Sequence, residues 1–376
     1  AVELTSRKEG TAGNSITLAA SVSSNAKITA TASGANLAGG QDAARIGLGS
    51  LITIYGKNLS DGMGSEPGTG KYLPHEIANT RVYIDGSAAH LLFVSPTQIN
   101  AQMPIGFTDA SSVSLYVWTR HADGTVTVTT PVAVTLVPEN PGIFAEAGAE
   151  PRQAVAMHGS PFASGTVSVD GSVKAGDVGT IKIEDRSYTY TVKSTDTLST
   201  VVDGLVAAVN KDPKVSAAPA GVFTRVRLFA RKAGAAGQGI KYSASVNSGA
   251  KLLLTATSAA LCCANTGQVT KNSPAIAGET ITVYATGLGL IQTPMTGYET
   301  GRRYDGPINS PVEFVSSLAG GKTANVLLAS PLPGSVGIFQ VQLELNSDLP
   351  TDPATQLTIA QNIYVSNIVT IPVKKP

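Results

Sequence analysis

The chain of 376 residues is 42% hydrophobic but only 5% aromatic and 14% charged, and it contains 39 Gly and 21 Pro. Small and β-branched residues punctuated by Gly and Pro are typical of β-proteins, and the shortage of Leu/Glu/Lys heptads argues against a helical bundle. The formal net charge of +1 gives no electrostatic footprint for nucleic acid or for an anionic membrane. No apolar run reaches the roughly 18 residues of a membrane-spanning helix.

Residues 1–40 form the first predicted element, an N-terminal arm that repeats a later part of the chain. Residues 2–13 match residues 226–237 at an offset of 224 (226 minus 2), and the register holds without a gap as far as Leu37 and Leu261. The later copy follows residues that look like the first part of its own domain, whereas the arm corresponds only to the second part. The arm is therefore predicted to be half of a β-domain.

Half of a β-domain leaves strand edges and an apolar face uncovered, which favours pairing with another chain. We therefore predict that the arm docks on a neighbouring subunit, with a frayed terminus as the alternative. The apolar residues predicted to make the contact are Val2, Leu4, Ile16, Leu18, Val22 and Ile28.

Two β-sandwiches are predicted, at residues 41–140 and 276–376. They are related because residues 278–288 nearly repeat residues 49–59, each copy being a turn-forming Gly followed by an alternating run. Short strands separated by Gly-, Asp- and Pro-bearing turns are typical of an immunoglobulin-like sandwich. In the first sandwich the candidate strands lie at 50–56, 80–85, 89–95, 112–119 and 125–136.

A small α+β domain is predicted at residues 166–261, inserted between two linkers at 141–165 and 262–275. Two alternating strands flank a turn at 184–187. A helix follows, with Asp196 or Thr197 as its N-cap. Its apolar stripe repeats at spacings of three and four and consists of Leu198, Val201, Val202, Leu205 and Val209.

The sandwich regions resemble known families. Residues 49–59 read Gly-Ser-Leu-Ile-Thr-Ile-Tyr-Gly-Lys-Asn-Leu and are similar to the opening of an IPT/TIG domain, an immunoglobulin-like module of many surface proteins and some transcription factors. Residues 82–104, followed by Pro-Gly-Ile-Phe at 141–144, resemble the C-terminal domain of secreted proteins of Solibacter-type acidobacteria. The second half fits the same pattern, so the resemblance covers 46–160 and 272–373. It implies the fold and an extracellular setting rather than an activity.

No catalytic constellation is predicted. The four histidines, His75, His90, His121 and His158, have no His or Glu partner at metal-ligand spacing. The Gly-rich run at 62–71 lacks the spacing of a phosphate loop, because Tyr72 follows its Lys where Ser or Thr is required. We therefore expect no enzyme, no metal and no cofactor.

Two further patterns leave alternatives open. Gln98, Asn100 and Gln102 alternate along a short predicted strand, and they either line a ligand site or satisfy backbone groups of neighbouring loops; we favour the second because buried polar groups are normally paired. Cys262 and Cys263 are adjacent, which allows a vicinal disulfide, a cross-link to a neighbouring subunit or two reduced thiols. They are either two small buried residues or a redox lock at a junction.

The sequence thus predicts a mainly β protein: two IPT/TIG-like sandwiches, an inserted α+β domain and an N-terminal β arm. The predicted function is a bacterial extracellular or cell-surface structural protein. It forms a filament or fibre as a head-to-tail homo-oligomer, without nucleic acid or a membrane span. The alternative is a surface adhesin or carbohydrate-binding module that recognises surface glycans, for which Trp118 is the candidate platform. A phage or secretion-device component is a third interpretation.

Overall fold

Two β-sandwiches and a small α+β domain make up most of the described chain. The computed structural model describes residues 15–25, 27, 29–32, 34, 36, 44–220 and 223–376. Strands dominate these residues, which confirms the prediction of a mainly β fold. Within them, no helix has both the length and the apolar character needed to cross a membrane.

The first sandwich contains strands whose side chains alternate between core and surface. They are β1 (Arg45–Gly47), β2 (Leu51–Tyr55), β3 (Gly64–Ser65), β4 (Thr80–Ile84), β5 (Ser87–Ala88), β6 (His90–Val94), β7 (Gln98–Gln102), β8 (Ser112–Arg120), β9 (Val126–Val128) and β10 (Val132–Val137). One sheet has the order β1-β10-β8-β4-β5, with β9 on β8, and the other has the order β2-β7-β6-β3. Both sheets contribute to one core, in which Val82, Leu91 and Ile99 are fully buried.

The single strand predicted at 125–136 is two strands in the structure. Residues 129–131 separate β9 from β10, and the last of them is Pro131. Proline has no N–H to donate to a ladder hydrogen bond, so the strand is interrupted there.

The segment for which we predicted a linker, residues 141–165, contains two short strands, β11 (Gly142–Ile143) and β12 (Ala156–His158), and its last four residues already belong to the first strand of the middle domain. Both pair antiparallel with residues 281–286 of the second sandwich. Ala154 and Ala156 are fully buried in that sandwich. This part of the segment therefore completes a sheet of the second sandwich.

The middle domain packs one helix against two small sheets. Its elements are β13 (Phe162–Gly171), β14 (Val178–Ile183), β15 (Arg186–Thr191), α1 (Leu198–Val209), β16 (Val215–Ala220), β17 (Phe223–Ala233), a 3-10 turn (Gly234–Gly237), β18 (Tyr242–Val246) and β19 (Leu252–Ala256). The sheet orders are β16-β17-β13-β19 and β15-β14-β18.

Helix α1 forms as its sequence predicts. Thr197 is the N-cap, and Thr197 and Thr200 bond each other's backbone N–H groups in a capping box. The apolar stripe enters the domain core, where Val201, Val202 and Leu205 are buried.

The second sandwich repeats the plan of the first. Its remaining strands are β20 (Ala275–Ile276), β21 (Thr280–Thr286), β22 (Ser316–Ala319), β23 (Lys322–Thr323), β24 (Asn325–Pro331), β25 (Phe339–Glu344), β26 (Asp352–Gln361), β27 (Tyr364–Val365) and β28 (Val369–Lys374). The sheets are β11-β21-β25-β24, with β12 on β21, and β20-β28-β26-β22-β23, with β27 on β26. Each sandwich pairs its entry strand parallel to its exit strand, β1 with β10 and β20 with β28.

Candidate assembly site

The described residues of the N-terminal arm lie on the surface. Ile16 is 37% exposed and Val22 is 44% exposed, whereas Leu18 is half-buried. A single antiparallel bridge joins Thr17 to Asn36. Of the other predicted docking residues, Val2, Leu4 and Ile28 lie outside the described residues.

The middle domain contains the second copy of the arm's sequence, and there the corresponding side chains are buried. At the offset of 224, Ile16 corresponds to Ile240 (240 minus 16) and Leu18 to Tyr242, and both counterparts are buried in the core of that domain. The counterparts of Val2, Leu4 and Ile28 are Val226, Leu228 and Leu252, and all three are fully buried. The arm therefore carries side chains that are core residues in the other copy.

The arm also keeps the strand register of the middle domain. The bridge between Thr17 and Asn36 corresponds, residue for residue, to the bridge between Lys241 and Ala260 (241 minus 17 and 260 minus 36 are both 224). The same pairing thus forms between the described residues of the arm. The repeat in the sequence is matched by a repeat in backbone pairing.

Cys262 and Cys263 lie at the surface between the middle domain and the second sandwich. The structure joins them in a vicinal disulfide, and Cys263 has a φ of +73°. Cys262 exchanges two backbone hydrogen bonds of 3.0 Å with Ser164. Both cysteines are exposed, so they are not two small buried residues. Their role as a redox lock stays a prediction.

The amide side chain of Gln102 satisfies backbone groups, as the favoured interpretation predicted. Gln102 is 1% exposed, its Nε2 donates to the carbonyl oxygen of Gly49 (3.2 Å), and its Oε1 accepts from the N–H of Gly301 (2.6 Å). Gly301 belongs to the second sandwich, and nothing in the sequence indicated this contact between the sandwiches. Gln102 therefore connects the two sandwiches.

Charged residues that sequence reasoning missed reinforce the same junction. Arg303 Nη2 donates to Glu66 Oε2 (2.5 Å), and Tyr72 Oη donates to Glu299 Oε2 (2.6 Å). The hydrogen bond from Arg303 lowers the pKa of Glu66. The hydrogen bonds from Tyr72 and Arg302 likewise lower the pKa of Glu299. Long separation along the chain hid these pairs from any search of local motifs.

The four histidines do not share one centre, although the rings of His75 and His90 lie 3.9 Å apart, centre to centre. His121 contacts Asp61 and His158 contacts Glu279, each through a 2.7 Å hydrogen bond. Burial lowers the pKa of His90, whose Nδ1 lies 2.7 Å from the carbonyl oxygen of Leu73. In the described parts of the chain, no three His, Cys, Asp or Glu side chains are grouped so that they could hold a metal ion.

Aromatic side chains give mixed support for a glycan site. Trp118 is half-buried and lies between Arg81 and Arg120, each guanidinium 5.2 Å from its ring centre. Phe314 is 81% exposed beside an open groove of about 300 Å³, whose lining includes Val312. The ring predicted as a platform is thus flanked by cations, and Phe314, a more exposed aromatic, lies elsewhere.

Comparisons with known proteins identify one domain. Residues 43–133 match the IPT/TIG domain, which confirms the IPT/TIG prediction for the first sandwich; the resemblance to the acidobacterial family stays a prediction. No curated protein matches this chain.

Three solved structures are similar over most of the chain. A titin I9-I11 tandem is 9% identical (89% of this chain, 96% of that chain, TM-score 0.14). A structure concerned with host cell surface retention of a bacterial ice-binding adhesin is 12% identical (89% and 95%, TM-score 0.15), and a marsupial T cell receptor is 8% identical (86% and 95%, TM-score 0.15). Such low TM-scores carry no inference about this chain. The similarity that identifies a family is therefore limited to residues 43–133, which match IPT/TIG domains.

Proposed function

We propose that this protein is an extracellular structural protein of the bacterial cell surface, which assembles head to tail into a filament or fibre through its N-terminal arm. The observation that carries the proposal is the contrast between the two copies of the repeat. Ile16 and Val22 are exposed in the arm, whereas the middle-domain counterpart of Ile16 is buried. Uncovered apolar residues next to strand edges favour addition to another chain.

The geometry of such a contact favours a fibre. The arm and whatever surface receives it are different parts of the chain, so the contact is heterologous and repeats with every added subunit. The extracellular setting is supported by the IPT/TIG match and by the resemblance to secreted acidobacterial proteins. The docking residues predicted in the arm are all apolar, which is compatible with their burial in a contact.

Deletion of residues 1–40 tests the proposal. The hydrophobic cores of the three domains contain residues from Ile46 onward, so we expect the shortened chain to fold. The full chain should form elongated assemblies in electron microscopy and sediment as large species, and the shortened chain should be monomeric. Monodisperse full-length monomers at high concentration would contradict the proposal.

The alternative, an adhesin or carbohydrate-binding module, predicts a different pattern. It requires glycan binding on an array by a protein that does not self-associate, with binding lost in Trp118→Ala. Phe314→Ala is the matched variant, because Phe314 is the more exposed aromatic side chain.

A further inference from the structure

Strand β2 of the first sandwich is an open sheet edge, although its counterpart in the second sandwich is covered. At the offset of 229 (280 minus 51), β2 corresponds to β21. Strand β21 pairs with β25 on one side and with β11 and β12 on the other. Among the strands that the structure describes, β2 pairs with β7 alone. The first sandwich therefore lacks the strand that residues 142–158 supply to the second.

The uncovered edge is visible in the burial of the side chains. Ile281 and Val283 of β21 are fully buried, whereas their counterparts Ile52 and Ile54 are only half-buried. Tyr55 at the end of β2 is 76% exposed. An added strand would bury more of this apolar surface, and burial is favourable by roughly 25 cal/mol per Å².

The backbone groups of β2 alternate between β7 and the open side. Met103 N–H donates to the carbonyl oxygen of Ser50 (2.8 Å), and Gly56 N–H donates to that of Thr97 (3.2 Å). By alternation, Ile52 and Ile54 bond β7, and the N–H and C=O of Thr53 face outward.

The second sandwich shows how such an outward edge is used. Phe144 N–H donates to the carbonyl oxygen of Tyr284 (2.9 Å), and Gly159 N–H donates to that of Thr280 (2.7 Å). These acceptors correspond to Tyr55 and Leu51 of β2. In the first sandwich, Leu51 N–H already donates to Thr286 Oγ1 (2.8 Å). From Thr53 to Tyr55, the first sandwich therefore presents the same groups to a strand that would run antiparallel to β2.

We propose that the open edge of β2 receives the arm strand of a second copy of this chain, residues 16–22. This inference rests on the proposed function and names its acceptor. Residues 16–22 read Ile-Thr-Leu-Ala-Ala-Ser-Val, so the even-numbered residues can face the sandwich core while Thr17, Ala19 and Ser21 face solvent. Seven extended residues span about 23 Å, which is more than enough to cover β2 from Ile52 to Tyr55.

Two properties favour this occupant. Neither residues 16–22 nor β2 contains a charged residue or a proline, so both lack the features that normally protect a strand edge from pairing. The segment that covers β21 places small side chains, Ala154 and Ala156, in the core, and the arm offers Ala20, which is also small. Within one chain, the described arm residues form no bridge to β2, which directs the pairing to another copy.

Thr53→Pro tests the acceptor edge, with Thr53→Val as its control. The N–H of Thr53 faces away from β7, so proline there removes a donor from the open edge without removing a β2–β7 hydrogen bond. A synthetic peptide of residues 14–25 should bind the chain that lacks residues 1–40, and Thr53→Pro in that chain should weaken binding by roughly tenfold. The full-length Thr53→Pro chain should lose its assemblies, and Thr53→Val should keep both properties.

A cysteine pair supplies a second measurement that does not depend on the stability of the proline variant. With Cys262 and Cys263 replaced by Ser, a chain carrying Thr53→Cys is mixed under oxidation with a tagged chain carrying Thr17→Cys or Ala19→Cys. A disulfide between tagged and untagged chains is expected, since cross-strand neighbours on one face approach within bonding reach. A third chain, which carries Thr53→Cys and Thr17→Cys together, is oxidised alone. If a disulfide forms within that chain and none forms between the mixed chains, the arm covers its own β2 and the inference is overturned.

The outcomes separate the two proposals. If deletion of residues 1–40 abolishes assembly but Thr53→Pro does not, and no interchain link forms, the acceptor is wrong and the proposed function stands. If the full chain is monomeric, both proposals fail.

Discussion

Asp212 is the most densely hydrogen-bonded carboxylate of the middle domain. Its side chain has no exposed surface and accepts from Arg186 Nε (2.8 Å), Tyr188 Oη (2.7 Å) and the N–H groups of Lys214 (2.7 Å) and Val215 (2.8 Å). Burial alone would raise the pKa of Asp212, but the hydrogen bonds from Arg186, Tyr188 and the two backbone groups outweigh it and lower the pKa. The charged carboxylate therefore stabilises the turn after α1.

We expect Asp212→Asn to lower the free energy of unfolding by about 2 kcal/mol at pH 7, because an amide has one acceptor oxygen for the four donors that the buried carboxylate serves. The folded-state pKa lies below the unfolded value of about 3.9, so the contribution of Asp212 is present above that pH and is lost as the pH falls through the folded pKa. Urea unfolding at pH 7 and pH 3 should show a smaller loss of stability on acidification in the variant than in the wild type. Asp203→Asn on the exposed face of α1 is the control. Equal losses in Asp212→Asn and wild type would contradict the prediction.

At the scale of elements, the sequence predicted the strands and the helix in which apolar residues recur at a regular spacing. The alternating runs of β2 and β21 and the capped stripe of α1 are examples. The short strands β11 and β12 escaped prediction because their hydrogen bonds go to β21, far along the chain. The candidate site follows the same rule: the repeat in the arm was readable from sequence, whereas the open edge of β2 follows from the pairing of distant strands.

The junction between the sandwiches provides a prediction at this scale. Gln102→Leu leaves the buried N–H of Gly301 and the carbonyl oxygen of Gly49 without their side-chain partner, and each unpaired buried group costs about 1–3 kcal/mol. Gln98→Leu is the matched control, because its amide donates only to the neighbouring Asn100 side chain. The midpoint of thermal unfolding should fall clearly in Gln102→Leu and little in Gln98→Leu. Similar midpoints in the two variants would show that Gln102 does not stabilise the junction.

At the scale of the whole molecule, the chain is an arm and a sandwich followed by a complete version of the same pair. The adjacent cysteines belong only to the second pair, since Ala38 and Gly39 stand at their places in the first. The cysteines are therefore not part of what the two copies share.

Because Cys262 bonds Cys263 within one chain, assemblies boiled without reductant should run as single chains on a gel. Cys262→Ser leaves one exposed thiol, so this variant should form a disulfide-linked dimer on oxidation. A ladder of cross-linked wild-type chains would instead mean that the cysteines join neighbouring subunits.

The parallel pairing of β1 with β10, and of β20 with β28, has a mechanical consequence for a chain held at both ends. A pull that enters at the start of β1 and leaves at the end of β10 drags two adjacent parallel strands in opposite directions. The hydrogen bonds between them are then loaded together in shear, instead of being opened one after another. Each of these two strand pairs is thus arranged to bear tension between its ends.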